Sequence, residues 1–347
     1  MLEIVFMSLS PLNQQRIQRF KANRRGVISL VVFVLLLLLT LAAELVANDR
    51  PIVLSYQDQL YYPVFNTYSE TTFGGDFETE AYYKDSELIA RIEQHGWMIW
   101  PIIPYSYSTV DYDLGQPAPS APDHQHWLGT DDQGRDVLAR SIYGYRISVL
   151  FALVLTGLSA VIGIFLGAVQ GYFGGWVDLI LQRVIEIWSG LPVLFLLIIL
   201  ASMVVPNVVW LLLILLLFSW MSLAQMVRAE FLRARNFEYV KAARVLGVGE
   251  WTIMLRHVLP NALVAAFTLL PFMLSSAVTA LTTLDFLGFG LPPGSASLGE
   301  LLLQGKNNPS APWLGFTGFF VLAGLLTVII FVSEAVRDAF DPRKVVL

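Results

Sequence analysis

Apolar runs of bilayer length alternate with short polar segments along most of the chain. A helix needs about 20 mostly apolar residues to cross the hydrocarbon core of a bilayer. We therefore predict an all-α polytopic membrane protein with six transmembrane helices, kinked at Pro192 and bent at Pro271. The six apolar runs cover residues 26–47, 147–170, 176–205, 208–225, 262–289 and 313–332.

The first run follows a basic arm. A cleaved signal peptide is the alternative interpretation, but the run is longer than a usual signal core and further spans follow. Because Lys- and Arg-rich segments stay in the cytoplasm, we predict an uncleaved first helix and six spans with both termini cytoplasmic. Residues 1–6 are a short apolar lead before Met7, which leaves open an alternative start. The arm contains Arg16, Arg19, Lys21, Arg24 and Arg25.

Four regions follow from this pattern. They are the arm and first helix (1–47), an insert (48–146), a core of five helices (147–336) and a tail (337–347). The insert has the composition of an extracytoplasmic segment, with 13 Asp or Glu against 3 Lys or Arg between Arg50 and Gly134.

The insert also has enough aromatic surface to bury, including Trp97, Trp100 and Trp127. We therefore predict an ordered insert of mixed secondary structure between the first two membrane helices. Its expected elements are strands near 52–56 and 60–64, a helix near 85–95 and a linker at 117–122.

The polar segment 239–261 lies between the fourth and fifth apolar runs. Asn236 is a candidate N-cap for a helix that begins near Phe237, and Gly247 suits the left-handed position after its end. A second short helix is expected from Glu250 to His257, before Pro260 interrupts the backbone ladder. Small residues in the first helix would let another protein surface approach closely.

This segment resembles the EAA loop of ATP-binding-cassette (ABC) importer permeases. The resemblance rests on Ala242-Ala243, on Gly247 after three further residues, and on Leu259-Pro260. It implies that 226–260 is a coupling loop that sits in a cleft of an ATPase subunit. The implied coupling residues are Arg235, Tyr239, Lys241, Ala242, Ala243, Gly247, Glu250, His257 and Pro260.

Two positions of the loop depart from the family pattern. Lys241 and His257 stand where Glu and Ile are usual, and both departures resemble the dipeptide and oligopeptide branch. An amphipathic cytoplasmic loop of another membrane protein is the alternative, because a short motif is a hypothesis until its context agrees.

A second resemblance precedes the second apolar run. The stretches HWLGTDDQGRDVLAR (126–140) and YGYRIS (143–148) are similar to the corresponding segment of C-type permeases in dipeptide and oligopeptide importers. A metal site could be built from His124, His126, Asp131 and Asp136. Oxygen-rich metal loops need a defined ligand count and spacing that this stretch lacks, so we favour a turn with internal salt bridges.

The fifth apolar run contains a polar stripe that leads toward its outer end. One interpretation is that the stripe lines the translocation path or its outer gate, because polar groups in spans are rare. The alternative is that the hydroxyls bond back to their own helix or to a neighbour. The stripe consists of Ser275, Ser276, Thr279, Thr282, Thr283 and Asp285.

Later matches to the same permease family follow in order along the chain. They are DFLGFG (285–290), LGELL (298–302), APW (311–313) and RDAFDPR (337–343). The long acidic insert and the stretches LSPLNQQR and ELVANDRP resemble the Yej-type subfamily, which implies uptake of oligopeptides and of the peptide-nucleotide microcin C. The same family also includes importers of nickel and other small cargo.

Composition excludes several other classes. With 56% hydrophobic and 14% charged residues the chain is too apolar for an ordinary soluble domain, and its net charge of −5 gives no reason to expect nucleic-acid binding. The absence of cysteine excludes disulfides and cysteine metal sites. No phosphate-binding loop, HExxH or GxSxG occurs, so we expect neither an enzyme nor a bound cofactor.

The resemblance therefore implies a set of partners in an inner membrane. They are a second homologous permease, ATPase subunits that bind ATP and Mg²⁺, an extracytoplasmic substrate-binding protein, membrane lipid and a peptide cargo. A secondary transporter is the main rival class and would commonly show internal repeats, which the sequence lacks. An intramembrane enzyme would need a catalytic pair.

Overall fold

The computed structural model describes residues 11–340, so residues 1–10 and the closing DPRKVVL lie outside the described part. The described chain is mainly helical and confirms the all-α membrane fold. Its helices are α1 Pro11–Ala22, α2 Arg24–Leu41, α3 Ala43–Val46, α4 Ser86–His95, α5 Val137–Phe173, α6 Gly175–Ser189, α7 Val193–Ser202, α8 Val208–Ser219, α9 Met221–Ala234, α10 Glu238–Val245, α11 Glu250–Thr252, α12 Leu259–Phe286, α13 Leu298–Asn307 and α14 Pro312–Phe340. Three strands, β1 Val53–Tyr56, β2 Gln59–Tyr61 and β3 Gly96–Ile99, complete it.

Between residues 11 and 340, five helical segments are long and apolar enough to cross a bilayer, and one bent pair supplies a sixth span. The bent pair is α6 and α7, which meet at 77° across a short break. Pro192 lies at this break. The helix cannot continue straight through it, because a proline removes a backbone donor and crowds the preceding turn. The predicted kink is therefore a sharp corner.

Helix α5 begins at Val137 rather than at 147, where its apolar run starts. The side chain of Asp136 caps it by accepting a bond of 2.7 Å from the N–H of Ala139. The last four residues of HWLGTDDQGRDVLAR and all of YGYRIS thus lie in the first turns of that helix, and hydropathy alone could not show this.

Close packing of α5 on α9 forms the inner part of the bundle. A Cβ added at Gly167 would lie 2.4 Å from the carbonyl oxygen of Ala224, and one added at Gly171 would lie 2.5 Å from that of Arg228. Glycines at four-residue spacing let the two backbones approach, as expected for small residues in membrane helices. A second core joins α5, α8, α12 and α14 around Val149, Leu281 and Ile329.

The insert has its own small core under a three-stranded antiparallel sheet in the order β2-β1-β3. Leu54 and Ile92 are buried there with the ring of Phe73, which lies edge-on to surrounding tyrosine rings. The helix predicted near 85–95 and the first two strands are confirmed, but β3 was missed. The stretch 117–122 packs through Ser120, which is buried against Thr130, and is not a free linker.

The two ends of α5 define two ends of the bundle. At its start, Arg140 contacts the insert and α13, and at its end Tyr172 contacts Glu250. A single cavity is lined by Arg16, Pro260 and Phe340, so α1, the start of α12 and the end of α14 lie together. The insert therefore occupies one end of the bundle, and the segment 238–258 occupies the other together with both described chain ends.

Candidate functional site

Helix α10 ends in a Schellman motif. The N–H of Gly247 donates to Arg244 O over 3.0 Å, and the N–H of Val248 donates to Ala243 O over 3.1 Å. Gly247 has φ +77°, the left-handed conformation that this motif needs and that glycine adopts without penalty. The predicted left-handed position of Gly247 after the end of the helix is confirmed.

The prediction for Asn236 is wrong. Phe237 occupies the N-cap position of α10 and makes no side-chain capping bond. The Asn236 Nδ2 atom donates instead to Leu232 O, over 3.2 Å, at the end of α9. The turn between α9 and α10 is tight, so the side-chain amide of Asn236 bonds to the end of α9 and not to the start of α10.

The prediction that Pro260 interrupts the ladder is also wrong. Residues Ile253–Val258 form a π-helical turn, and α12 continues directly from Leu259 with Pro260 in its first turn. A π-turn shifts the hydrogen-bond register, so a proline there displaces little. One helical rod therefore runs from Glu250 to Phe286 and connects the exposed segment to the membrane core.

The inner face of the segment 238–258 is fixed to α5 and α9. Val240, Met254 and Val258 are fully buried in a core that includes Phe231. The Tyr172 hydroxyl donates to the Glu250 carboxylate, which also accepts a bond of 3.1 Å from Arg244 Nε. This face is thus held by apolar burial and by the hydrogen bonds that join Tyr172, Glu250 and Arg244.

The outer face of the segment carries two large apolar side chains that nothing in the described chain covers. Val245 is 88% exposed and Leu246 is 82% exposed, directly before Gly247. Ala242 lies one turn away and is also exposed. We call Ala242, Val245, Leu246 and Gly247 the α10 tip. Sequence reasoning missed Val245 and Leu246, although two adjacent aliphatic residues in a basic segment were a visible signal.

The other predicted coupling residues are divided between the two faces. Arg235 donates to Gly171 O over 3.4 Å, so it supports the inner face rather than the tip. Lys241 pairs with Glu238 over 3.1 Å on the exposed side. Tyr239, His257 and Pro260 are also exposed, and Ala243 is half-buried.

The polar stripe of α12 is mostly bonded to its own backbone. The hydroxyls of Ser275, Ser276, Thr279 and Thr283 all bond to the carbonyl four residues earlier, which is the alternative that the sequence left open. Thr282 is buried.

Asp285 holds the loop that follows α12. Its carboxylate accepts bonds of 2.6 Å from the N–H of Leu291 and 2.5 Å from the Ser297 hydroxyl. The side chain is buried, and a Cβ at Gly290 would collide with it. Asp285 therefore acts in this structure as an anchor for residues 287–297.

A cavity of about 490 Å³ lies among α5–α9 and α12, and its walls are mainly apolar with several hydroxyls and one amide among them. The hydroxyls of Thr156 and Ser159 on α5 face it and have no hydrogen-bond partner in the described part of the chain. Ser276 is the one member of the α12 stripe among its lining residues, and Gln225 adds an amide. Buried hydroxyls without partners favour a polar guest or water.

His126 forms an ion-paired bridge at the start of α5. Its Nδ1 lies 2.8 Å from Asp136 and its Nε2 lies 3.2 Å from Asp111. Both nitrogens face acceptors, so both must carry protons. Burial alone would lower the pKa of His126, but the two carboxylates outweigh it and hold the pKa above its usual value. No group of residues between 11 and 340 has a metal-binding arrangement, and the favoured turn with internal salt bridges is what the structure shows.

Arg140 is the centre of a second buried network. It is fully buried and donates to Tyr107 O over 3.0 Å, to Ser295 O over 2.8 Å and to Glu300 over 2.7 Å. Its Nε also lies 3.3 Å from Asp131, which is bound in turn by Arg135. This network joins the insert, the start of α5, the loop before α13 and α13 itself.

Comparison with known proteins places this architecture in a family. Residues 139–346 match the family described as binding-protein-dependent transport system inner membrane component. Residues 10–64 match the N-terminal transmembrane domain of oligopeptide transport permease C.

Individual relatives extend the match over nearly the whole chain. The inner membrane ABC transporter permease protein YejE of Escherichia coli is 56% identical and covers 97% of this chain and 99% of its own. The peptidoglycan transport system permease protein YejE of Agrobacterium fabrum is 55% identical, and the match covers 96% of this chain and 94% of that protein. The oligopeptide transport system permease protein OppC of Mycobacterium bovis is 35% identical, and the match covers 70% of this chain and 84% of that protein. The chain therefore belongs to the family of binding-protein-dependent transport system inner membrane components, as an OppC-like ABC transporter permease.

Proposed function

We propose that this permease forms one half of an ATP-driven importer for oligopeptides, with both termini and the α10 tip in the cytoplasm. The observation that carries the proposal is the α10 tip, an exposed apolar surface. It lies directly before the helix Glu250–Phe286, which continues into the membrane. ATP and Mg²⁺ are held by partner ATPase subunits, whose movement reaches the membrane helices through this rod.

The orientation is supported by charge. The basic arm and the basic segment around α10 lie at the same end of the bundle, while the acidic insert lies at the other. Positively charged loops remain on the cytoplasmic side. This charge distribution supports an extracytoplasmic insert, on the side from which a substrate-binding protein would deliver cargo.

Purification of the full chain in mild detergent, from cells that express its natural neighbours, tests the proposal. Mass spectrometry is expected to identify an ATPase and a second six-helix permease in stoichiometric amounts. Recovery of the chain alone, with transport activity after reconstitution, would contradict the proposal and favour a secondary transporter.

The peptide cargo is supported by the relatives, one of which is named for oligopeptides and another for peptidoglycan. We therefore propose short peptides, including microcin C-type peptide-nucleotides, as the cargo. Competition for uptake of a labelled peptide distinguishes the alternatives. Excess unlabelled peptide is expected to block uptake, whereas competition by nickel but not by peptide would favour a small-cargo importer.

We propose that the translocation path follows the exposed face of α12 and the cavity beside it that Thr156 and Ser159 line. Ser276, Thr279 and Thr283 lie on one helical face at spacings of three and four residues. Because their hydroxyls already bond to the backbone, they offer a wall of low polarity that binds peptide weakly. Thr156 and Ser159 supply the unpaired hydroxyls.

The insert offers a docking surface for the binding protein. Leu60 and Trp97 lie opposite Ser55 on the two neighbouring strands, and Ile99 lies opposite Val53 on the same face. Leu60, Trp97 and Ile99 are 56%, 48% and 51% exposed. An antiparallel sheet normally places polar residues on its open face, so this apolar face indicates a protein contact. The acidic insert around it favours a basic partner surface.

Replacement of Leu60 and Trp97 by glutamate is expected to weaken binding of the loaded binding protein by about tenfold or more, because central apolar contacts dominate interfaces. Surface plasmon resonance on the reconstituted importer measures this effect. The control is Phe77→Glu, an exposed aromatic residue outside the sheet. Equal affinity of the double variant and the wild type would refute docking on this face.

A further inference from the structure

An apolar groove lies between α2, α5, α12 and α14. It has a volume of about 350 Å³, and its walls include Leu30, Phe33, Leu153 and Val332. Among the described residues that line it, Thr156 carries the one polar side chain. Leu30 and Leu153 are 37% and 41% exposed, so the groove opens to the surroundings of the helix bundle.

Gly157 on α5 lines this groove and is exposed. A Cβ built at Gly157 would have no atom of a neighbouring element within 4 Å, whereas one built at Gly167 would lie 2.4 Å from Ala224 O. Gly167 therefore serves the close packing of α5 on α9, and Gly157 serves no such contact. A glycine inside a helix is less favourable than alanine, and here it leaves space that another molecule can fill.

The groove lies near the middle of the bilayer. Arg146 on α5 pairs with Glu44 over 2.8 Å, which marks a polar boundary of the spans. The sequence then has no charged residue until Asp178. Gly157 lies eleven residues beyond Arg146, or about 16 Å at 1.5 Å per residue, and the hydrocarbon core is about 30 Å thick. Water and lipid headgroups are therefore too far away to fill the groove.

The groove also lies behind α12. Its wall on this helix consists of Leu270, Pro271 and Leu274. At 3.6 residues per turn, these positions are centred about 170° around the helix from the members of the polar stripe on the exposed face. Those members are Ser276, Thr279 and Thr283. The groove therefore faces away from the proposed path and toward the bilayer.

We propose that this groove binds one acyl chain of a membrane phospholipid. Hydrocarbon tails are the molecules that reach this depth, and the groove gives a tail apolar contacts on several sides instead of one. The bound tail packs on Pro271, where the missing N–H removes one backbone bond of α12. Thr156 lines both the groove and the 490 Å³ cavity, so the tail also lies directly behind the cavity wall. A role of the tail in bracing the bend of α12 during transport rests on the proposed function.

Native mass spectrometry of the full chain in detergent, purified with its accompanying subunits, tests the proposal. Dipalmitoyl and dioctanoyl phosphatidylcholine share one headgroup and are offered in equal amounts. Retention of the dipalmitoyl lipid is expected to exceed that of the dioctanoyl lipid, because a longer tail buries more methylenes in the groove. Equal retention of the two lipids would overturn the proposal.

Two glycine variants make the test specific. Gly157→Leu places a side chain in the groove and is expected to lower retention of the dipalmitoyl lipid about tenfold, the effect of about two methylenes that lose their burial. Gly324→Leu is the matched control, because Gly324 is also an exposed helical glycine with open space around it but does not line the groove. It is expected to leave retention unchanged.

A third variant approaches the groove from its other side. Leu30→Ala removes part of the exposed wall on α2 and is expected to lower retention as well. Undiminished retention on Gly157→Leu, or an equal loss on Gly157→Leu and Gly324→Leu, would overturn the proposal. The assay contains neither cargo nor ATP, so its result does not depend on the transport function.

Discussion

Gly247→Asp is expected to abolish ATP-driven uptake, to below about a hundredth of the wild-type rate, while leaving membrane insertion intact. Gly247 has φ +77°, so any side chain there is strained by about 1–2 kcal/mol. No atom of the described chain outside its sequence neighbours lies within 4 Å of a Cβ built there, so the fold has room for the side chain. The charge instead enters the proposed contact with the ATPase, where an unpaired buried carboxylate is strongly unfavourable.

Transport in reconstituted vesicles and copurification of the ATPase measure this effect. Gly247→Ala is the matched control, because it introduces the same backbone strain without charge and should retain most of the ATPase. Leu246→Glu should behave like Gly247→Asp, since it places a carboxylate on the neighbouring exposed position. Normal uptake by Gly247→Asp would show that the α10 tip is not the coupling surface.

Arg140→Met is expected to destabilise the permease by about 3–5 kcal/mol, the largest stability effect among the variants considered. The change leaves the fully buried Asp131 and the largely buried Glu300 with one cationic partner fewer. It also removes the donors that hold Tyr107 O and Ser295 O. The insert and the loop before α13 should therefore separate from the start of α5.

Thermal unfolding in detergent and limited proteolysis of the insert measure the loss. The control is Arg183→Gln, because Arg183 pairs with Glu186 on an exposed helix surface, where such pairs contribute less than about 1 kcal/mol. An unchanged unfolding temperature for Arg140→Met would mean that the network contributes nothing to the fold.

The continuous helix from Glu250 to Phe286 gives a physical basis for coupling. The α10 tip is attached to the start of this helix through Arg244 and Glu250. The helix then passes the cavity at Ser276 and ends next to Asp285, which holds the outer loop. Movement of the tip can therefore reach both the proposed path and its outer end, with the π-helical turn at 253–258 and Pro271 as the points where this continuous helix can bend.

Several features of the site were predictable from local sequence because local chemistry controls them. The left-handed turn at Gly247 requires a residue without a Cβ, and this turn follows an amphipathic helix. The corner at Pro192 follows from a missing backbone donor. Six apolar runs predicted the spans because the thickness of the bilayer sets a minimum helix length.

Other features depended on the path that the backbone takes in the folded chain. Asn236 is a good N-cap by type, but the tight turn after α9 brings the carbonyl of Leu232 within its reach first. Asp285 could line a pore by its position in a span, yet Ser297 and Leu291 fold back onto it. The exposure of Val245 and Leu246 depends on which face of α10 packs on Phe231.

The sequence alone determined the membrane fold, the place of the insert between the first two spans and the αL turn at Gly247, because each depends on hydropathy or on short-range stereochemistry. Its motifs indicated the family by resemblance. Tertiary structure decided which polar groups are free and which are already bonded. It also decided that Pro260 lies within a continuous helix and that a basic arm closes an apolar cavity with α12 and α14. Those outcomes depend on the packing of segments that are distant in the chain, and no local pattern encodes that packing.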